Sequence, residues 1–356
     1  MPSLIRHVSL LIQRESAGPT LLDFLCGRFT YHDRDEWLRR LADGQLRING
    51  AVADPATVLA VGDRLDYYFV AGPEPEVNLE YGVLYEDAEL LIVNKPANLP
   101  CHPAGCFFNH TLWALLKERF GENYFALANR LDRETSGVLA IAKTPAATRH
   151  LQRQFARHRV EKRYLAIVEG VFPDMLDAAG WLSPDTACAV RKKRKFVQES
   201  KDGAGETPGI PATPPGLSRW SAGVTPVPAG LSLTKNHPST GASPAEGEWA
   251  ETVFRRMATS AGLSLVEALP KTGRLHQLRA TLCSLGFPLV GDKIYGVDPT
   301  IFIRYCDGVM TADDRRRLRL DRQALHASVL RLHHPADNRE LEFTAPLPEE
   351  LRVLLG

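Results

Sequence analysis

The sequence is poor in three things that would each have pointed to a function. No run of about 18 apolar residues occurs, so no membrane-spanning helix is expected. The six cysteines, Cys26, Cys101, Cys106, Cys188, Cys283 and Cys306, never form a CxxC pair, which excludes the common zinc sites. In a chain of 356 residues they do not read as a disulfide framework either. The formal charge is only +1, so any nucleic-acid surface must come from local clusters. The first 25 residues also lack the basic, apolar and small-residue blocks of a secretory signal, and a cytoplasmic protein is expected. No internal repeat is visible.

What is present is enough for a substantial core: 44% of residues are hydrophobic and 24% charged, and the length suggests two domains. Residues 1–72 read as a small module. TLLDFLCGRF and RDEWLRRLADG have helical spacing, QLRINGAVA turns back on itself at Asn49-Gly50, and GDRLDYYFV supplies another strand. Arg34, Arg39, Arg40 and Arg47 cluster on this module, with Arg39 and Arg40 next to the apolar Trp37 and Leu38, and are expected to point outward as phosphate contacts. AGPEPEV reads as a linker. A second domain, 78–356, mixes strands such as LLIV, GVLAIA and RYLAIVEG with helices such as TLWALLKERF and the basic TRHLQRQFARHRV, which predicts an α+β fold. Residues 202–247 hold eight prolines and eight glycines in 46 positions without apolar periodicity, and read as a flexible insertion.

The chemistry concentrates in ANRLDRETSGVLAIAKT, residues 128–144, where Asp132 lies between Arg130 and Arg133 just before an apolar strand. A carboxylate beside arginines is usually a surface ion pair. Here a Thr-Ser-Gly turn would fix it at a sheet edge. RKKRKF, residues 191–196, could contact phosphates or be a solvated charge run. His326, His333 and His334 have no companion ligands at metal spacing, and no metal site is expected.

Arg130 to Gly137, RLDRETSG, resembles the signature of the RluA-type RNA pseudouridine synthases. VLYEDAELLIVNKPANLPCHP, KRYLAIVEG and KTGRLHQLRATLCSLGFPLVGDKIYG resemble three further motifs of that family, in its order. The N-terminal helices and hairpin resemble the alpha-L RNA-binding module. The resemblance implies a catalytic domain with a mixed, largely antiparallel sheet. It also implies isomerisation of uridine in RNA, in which the N1–C1′ bond breaks, the base turns, C5 joins C1′ and the C5 proton leaves. Asp132 would act as the carboxylate, by attacking C1′ or by removing a C2′ proton, and must be ionised in a dry pocket, which calls for a nearby cation. The resemblance assigns that cation to Arg274 and assigns Tyr164 to the uracil ring and its C5 proton. Arg130 would fill the gap left by a flipped base. Lys162, Arg133, Thr135 and His276 complete the implied substrate-binding set. Asn129 and Thr281 stand where the family commonly has histidine. No cofactor is implied, and the partner is RNA, ribosomal RNA ahead of transfer RNA, bound by a monomer. The alternative is an RNA-binding protein that has kept the fold and lost catalysis; a hydrolase using Asp132 is a third reading.

Overall fold

A computed structural model describes residues 5–29, 32–70, 74–190, 192–199 and 247–356. The chain divides into two compact units.

The first comprises residues up to Glu76 together with His102–His110. Strand β1 (Ile5–Leu11) precedes helices α1 (Leu21–Arg28) and α2 (Arg34–Ala42), and then come β2 (Leu46–Ile48), β3 (Ala51–Val52) and β4 (Arg64–Val70). Each helix starts where a side chain satisfies a free backbone N–H: Thr20 Oγ1 accepts from Asp23, and Asp33 accepts from Glu36. Asn49 and Gly50 both take positive φ, 51° and 88°, which closes the β2–β3 hairpin with the twist it needs. The strands order as β1-β4-β2-β3. IRHVSLL does not alternate cleanly, and β1 is a strand because β4 pairs with it residue for residue from Ile5 to Leu11. Trp37 sits in the core of this unit, whereas Leu38 is exposed. Glu74, in the stretch read as a linker, is anchored: its carboxylate accepts from the backbone N–H groups of Phe108, Asn109 and His110.

The second unit holds an eleven-stranded sheet. Its elements are β5 (Gly82–Glu86), β6 (Leu90–Lys95), α3 (Leu112–Phe120), β7 (Ala126–Leu127), β8 (Ser136–Ala142), α4 (Pro145–Ala156) and β9 (Glu161–Glu169), followed by β10 (Met175–Pro184), β11 (Arg194–Gln198), β12 (Glu248–Ser260) and β13 (Leu263–Pro270). After them come α5 (Gln277–Ser284), α6 (Thr300–Cys306), α7 (Ala312–Leu318), β14 (Leu325–His333), β15 (Glu340–Thr344) and α8 (Glu349–Val353). The order is β11-β10-β12-β13-β9-β14-β8-β6-β5, with β15 on β14 and β7 on β8. Its pairs are antiparallel except β8 with β14. The fold is α+β with a mixed, largely antiparallel sheet, and it carries every residue of the candidate site. Strands β11 and β12 both border β10, so the connection between them can be long without disturbing the sheet. The predicted insertion occupies that connection, and its residues 202–246 lie outside the described residues.

The parallel contact shapes the site. Gly137 has φ +117°, and a Cβ there would meet the Ala327 carbonyl oxygen at 2.1 Å, so β14 can lie directly on the start of β8 only because this residue is glycine. On one side, α5 packs in a core with Phe254, Val266 and Tyr295; on another, α3 packs with Leu91, Val93 and Leu139. Tyr164 touches both clusters.

Candidate active site

Asp132 lies in the turn leading into β8, where the Thr135 N–H donates to the Asp132 carbonyl at 3.1 Å. Its Oδ2 accepts from Arg279 Nη1 at 2.8 Å and, more loosely, from Gln323 Nε2 at 3.4 Å. Arg279 enters from α5 and is almost fully buried. Its other edge forks onto Asp292, with Nε to Oδ2 at 2.7 Å and Nη2 to Oδ1 at 2.9 Å. Asp292 is completely buried and is itself held by the backbone N–H groups of Ile294 and Tyr295. The Tyr295 ring lies 5.0 Å from the Arg279 guanidinium carbon. One guanidinium thus joins two carboxylates, one sealed in the core and one facing a cavity.

That cavity, about 130 Å³, is lined by Arg130, Asp132, Thr135, Lys162, Tyr164, Arg274, His276 and Arg279, with Pro270, Thr272, Gly273, Gln277 and the apolar Leu131, Leu278 and Leu325. Burial alone would raise the Asp132 pKa, but Arg279 foremost, with His276 and Gln323 behind it, brings it down to about 2. His276 is held down to about 4 by burial and then by Arg279. It is therefore neutral near pH 7, and the cation that keeps Asp132 ionised there is Arg279. Burial, and then the Asp132 charge, push the Tyr164 phenol well above its ordinary range, so it stays protonated. Burial lowers the Lys162 ammonium, whose Nζ reaches the Thr272 carbonyl at 3.4 Å.

Two expectations are corrected. Arg274 does not pair with Asp132: its Nε donates to the Trp249 carbonyl at 3.1 Å, and Glu248 is the nearest carboxylate, at 3.8 Å. Residues 274 and 279 sit on either side of the α5 N-terminus, and the helix, beginning at Gln277, turns the second guanidinium inward and leaves the first at the cavity mouth. Arg133 does not line the cavity; it bonds Glu134 at 2.9 Å and the Tyr305 hydroxyl at 3.0 Å. The other predicted residues do meet there. Arg130 is exposed at the rim and has no ion pair among the described residues. Thr135 Oγ1 accepts from Gln323 Nε2 at 2.6 Å, and His276 Nδ1 meets the Tyr295 hydroxyl at 3.0 Å.

Sequence reasoning missed Arg279, Asp292, Gln323 and Tyr295. HQLR and GDKIY lay inside a quoted motif, but only the folded helix shows that Arg279 and Asp292 are partners. The departures from family habit also have local accounts. Asn129 Oδ1 accepts from the Ala140 N–H within β8 at 3.1 Å. Thr281 is buried with its hydroxyl unpartnered among the described residues.

The sequence matches the RNA pseudouridylate synthase family over residues 89–284, more than half of the chain. The chain belongs to that family and is an RNA pseudouridine synthase, an isomerase. It is 28% identical over 363 residues to the ribosomal large subunit pseudouridine synthase C of Vibrio cholerae, covering 97% of this chain and 94% of that protein. It is 28% identical over 280 residues to the mitochondrial tRNA pseudouridine(32) synthase of Saccharomyces cerevisiae, covering 78% of this chain and 50% of that one. Among solved structures, Human RNA Pseudouridylate Synthase Domain Containing 1 shares the fold, with TM-score 0.50 and 24% identity over 77% of this chain and 86% of that chain.

Proposed function

We propose that the protein isomerises particular uridines in structured ribosomal RNA, using Asp132 as the reacting carboxylate on a base flipped into the cavity. The observation that carries this reading is a carboxylate paired with the buried Arg279 at 2.8 Å and facing a small cavity. Such a group is primed to attack C1′ or to take the C2′ proton as the N1–C1′ bond opens. Asp132 lies in a recess lined by Tyr164, Leu278 and Arg279, so a uridine must leave its helical stack to reach the carboxylate. Arg130, exposed at the rim, is the side chain to take its place. Tyr164 faces the same space with a ring for stacking and a neutral hydroxyl that can donate a hydrogen bond to the turning base. Its high pKa argues against a resident phenolate base, and the C5 proton is better assigned to the Asp132 carboxylate once C1′ has rejoined the base. Lys162, His276 and Thr135 shape the polar wall, and Arg274 at the mouth contacts the RNA rather than Asp132. No step needs a cofactor.

Ribosomal RNA is favoured because the V. cholerae relative aligns along nearly the whole chain, the N-terminal unit included. Transfer RNA is the second reading, through the yeast relative. Residues 1–72, most of the first unit, serve as an RNA-binding module. Arg39 and Arg40 are tied to Glu36 and Arg34 to Asp23, while Arg47 has no ion pair among the described residues and lies 5.5 Å from the Tyr68 ring. Arg47 is therefore the most available phosphate contact of the four.

The test is to map pseudouridines across total RNA from cells with the gene, without it, and with Asp132→Asn in its place. A ribosomal position lost in both the second and third would support the reading. Unchanged maps would overturn it.

A further inference from the structure

Away from the catalytic cavity, α4 and the end of β14 enclose a second hollow of about 240 Å³. His150, Arg153, Gln154 and Arg157 follow one another at i, i+3, i+4 and i+7, and so line one face of α4 and its C-terminal residue. Arg159 joins them from the approach to β9, and His333 and Asn338 close the far side. Among the described residues no carboxylate lines the hollow. The neighbouring acids are engaged elsewhere: Asp337 with His334 and Arg339, and Glu161 with Arg163 and Arg331. Arg153, Arg157 and Arg159 are exposed and have no ion pair among the described residues. By contrast, three of the four arginines of α7 and its C-cap answer to acids, Arg316 to Asp313, Arg317 to Asp298 and Arg319 to Glu169, while Arg315 bonds only the Met310 carbonyl.

The hollow is also held in shape. Gln154 is buried, and its amide bridges to the β14 end twice, Nε2 donating to the His333 carbonyl at 2.7 Å and Oε1 accepting from the His333 N–H at 2.8 Å. Three guanidinium groups therefore converge, without neutralising partners, on a concave surface whose floor is fixed by a helix–strand latch. Cations at a helix C-terminus are favoured by the helix dipole alone. That accounts for Arg153 and Arg157, but not for Arg159 beyond the helix or for the absence of acid from the whole lining.

We propose that this hollow binds backbone phosphates of the RNA substrate at a distance from the target uridine. Guanidinium groups suit the two free oxygens of a phosphodiester, which they can grip in fork geometry. The strands set the spacing. Leu325 at the start of β14 lines the catalytic cavity and His333 at its end lines this hollow, eight positions on; Tyr164 and Arg159 are five apart on the β9 side. At about 3.3 Å per residue these paths along the strands are roughly 17–26 Å. Only an RNA extending that far from its target would engage both places, which would favour a folded RNA over a short fragment.

This inference rests on the RNA-isomerase reading above, and the experiment keeps the two apart. The full chain and the triple variant R153Q/R157Q/R159Q would be titrated with a large-subunit ribosomal RNA transcript between about 50 and 200 mM salt. Loss of three phosphate contacts should flatten the salt slope by about two to three units, so wild-type affinity should fall roughly 16- to 64-fold more than that of the variant across the range. The lysine triple variant should keep most of the slope, because charge is retained while the fork is lost. Equal slopes for wild type and the glutamine variant, with thermal stability alone lowered, would overturn the proposal and assign the arginines to the helix end. If wild type bound the transcript and isomerised uridine yet the slopes were equal, only this inference would fall. If wild type neither bound nor isomerised it, both would.

Discussion

The floor and the mouth of the catalytic cavity are built from the same kinds of side chain in opposite states. At the floor, Arg279 gives its three nitrogens to Asp292 and Asp132, Asp292 is also bonded by two backbone N–H groups, and Tyr295 closes the network below. These bonds hold Asp132 in place and keep it ionised near neutral pH. At the mouth, Arg130 has no ion pair among the described residues, and Arg274, 39% exposed, reaches Glu248 only at 3.8 Å. Saturated charges fix geometry, whereas unsaturated charges wait for a partner. Substitution at the floor should therefore damage turnover, and substitution at the mouth should damage binding.

The largest effect is expected from Asp132→Asn, which keeps the shape and removes the reacting carboxylate. Turnover should fall roughly 10⁴-fold or more, while RNA affinity stays within a few-fold; a rate near wild type would remove Asp132 from the mechanism. Next comes Arg279→Gln. It leaves buried Asp292 short of its cation, a loss of about 3–5 kcal/mol in stability, and frees the Asp132 pKa to rise. Asp132 now titrates near pH 2, below the ordinary value of about 3.9. Its contribution to stability is thus complete above about 3.9 and is lost as pH falls toward 2. In the variant the acid limb of the rate profile should move upward in pH, and a limb that stays in place would break the ion-pair account.

Tyr164→Phe keeps the ring and deletes the hydroxyl. If the hydroxyl guides the turning base, kcat should drop about 10²-fold with KM little changed; an unaltered kcat would reduce Tyr164 to a stacking platform. The smallest effect is expected from Arg274→Ala, with KM raised roughly tenfold and kcat nearly intact, as for a residue that contacts RNA at the entrance. A collapse of kcat equal to that of Arg279→Gln would erase the distinction between floor and mouth.

Much of this architecture was legible in the chain. The two helices and hairpin of the first unit, strands β6, β8 and β9, and helix α5 follow from period and turn chemistry, and Asp132, Tyr164, Lys162 and His276 share a cavity as the motifs implied. What escaped was long-range. Strand β1 exists through its pairing with β4, and Gln323 reaches Asp132 across 191 residues. The choice between Arg274 and Arg279 depends on where a helix begins and how it turns, which local spacing cannot fix. Leu38 shows the same limit at small scale, since adjacent apolar residues on a helix need not share a face.

Gly137, which lets β14 lie on β8, also sets a timetable. The contact joins Ser136–Gly137 to His326–Ala327, and Ser136 Oγ bonds His326 Nδ1 at 2.9 Å across 190 residues. A chain emerging from the ribosome has its reactive carboxylate long before it has the strand and the glutamine that orient it. The turn that carries Asp132 can take its final form only after Gln323 and His326–Ala327 have appeared, and a nascent chain ending before Gln323 would carry the signature motif without a finished site. Such high sequence separation predicts slow closure of this region relative to the local hairpin at Asn49-Gly50. The site is thereby finished only once β14 has been made.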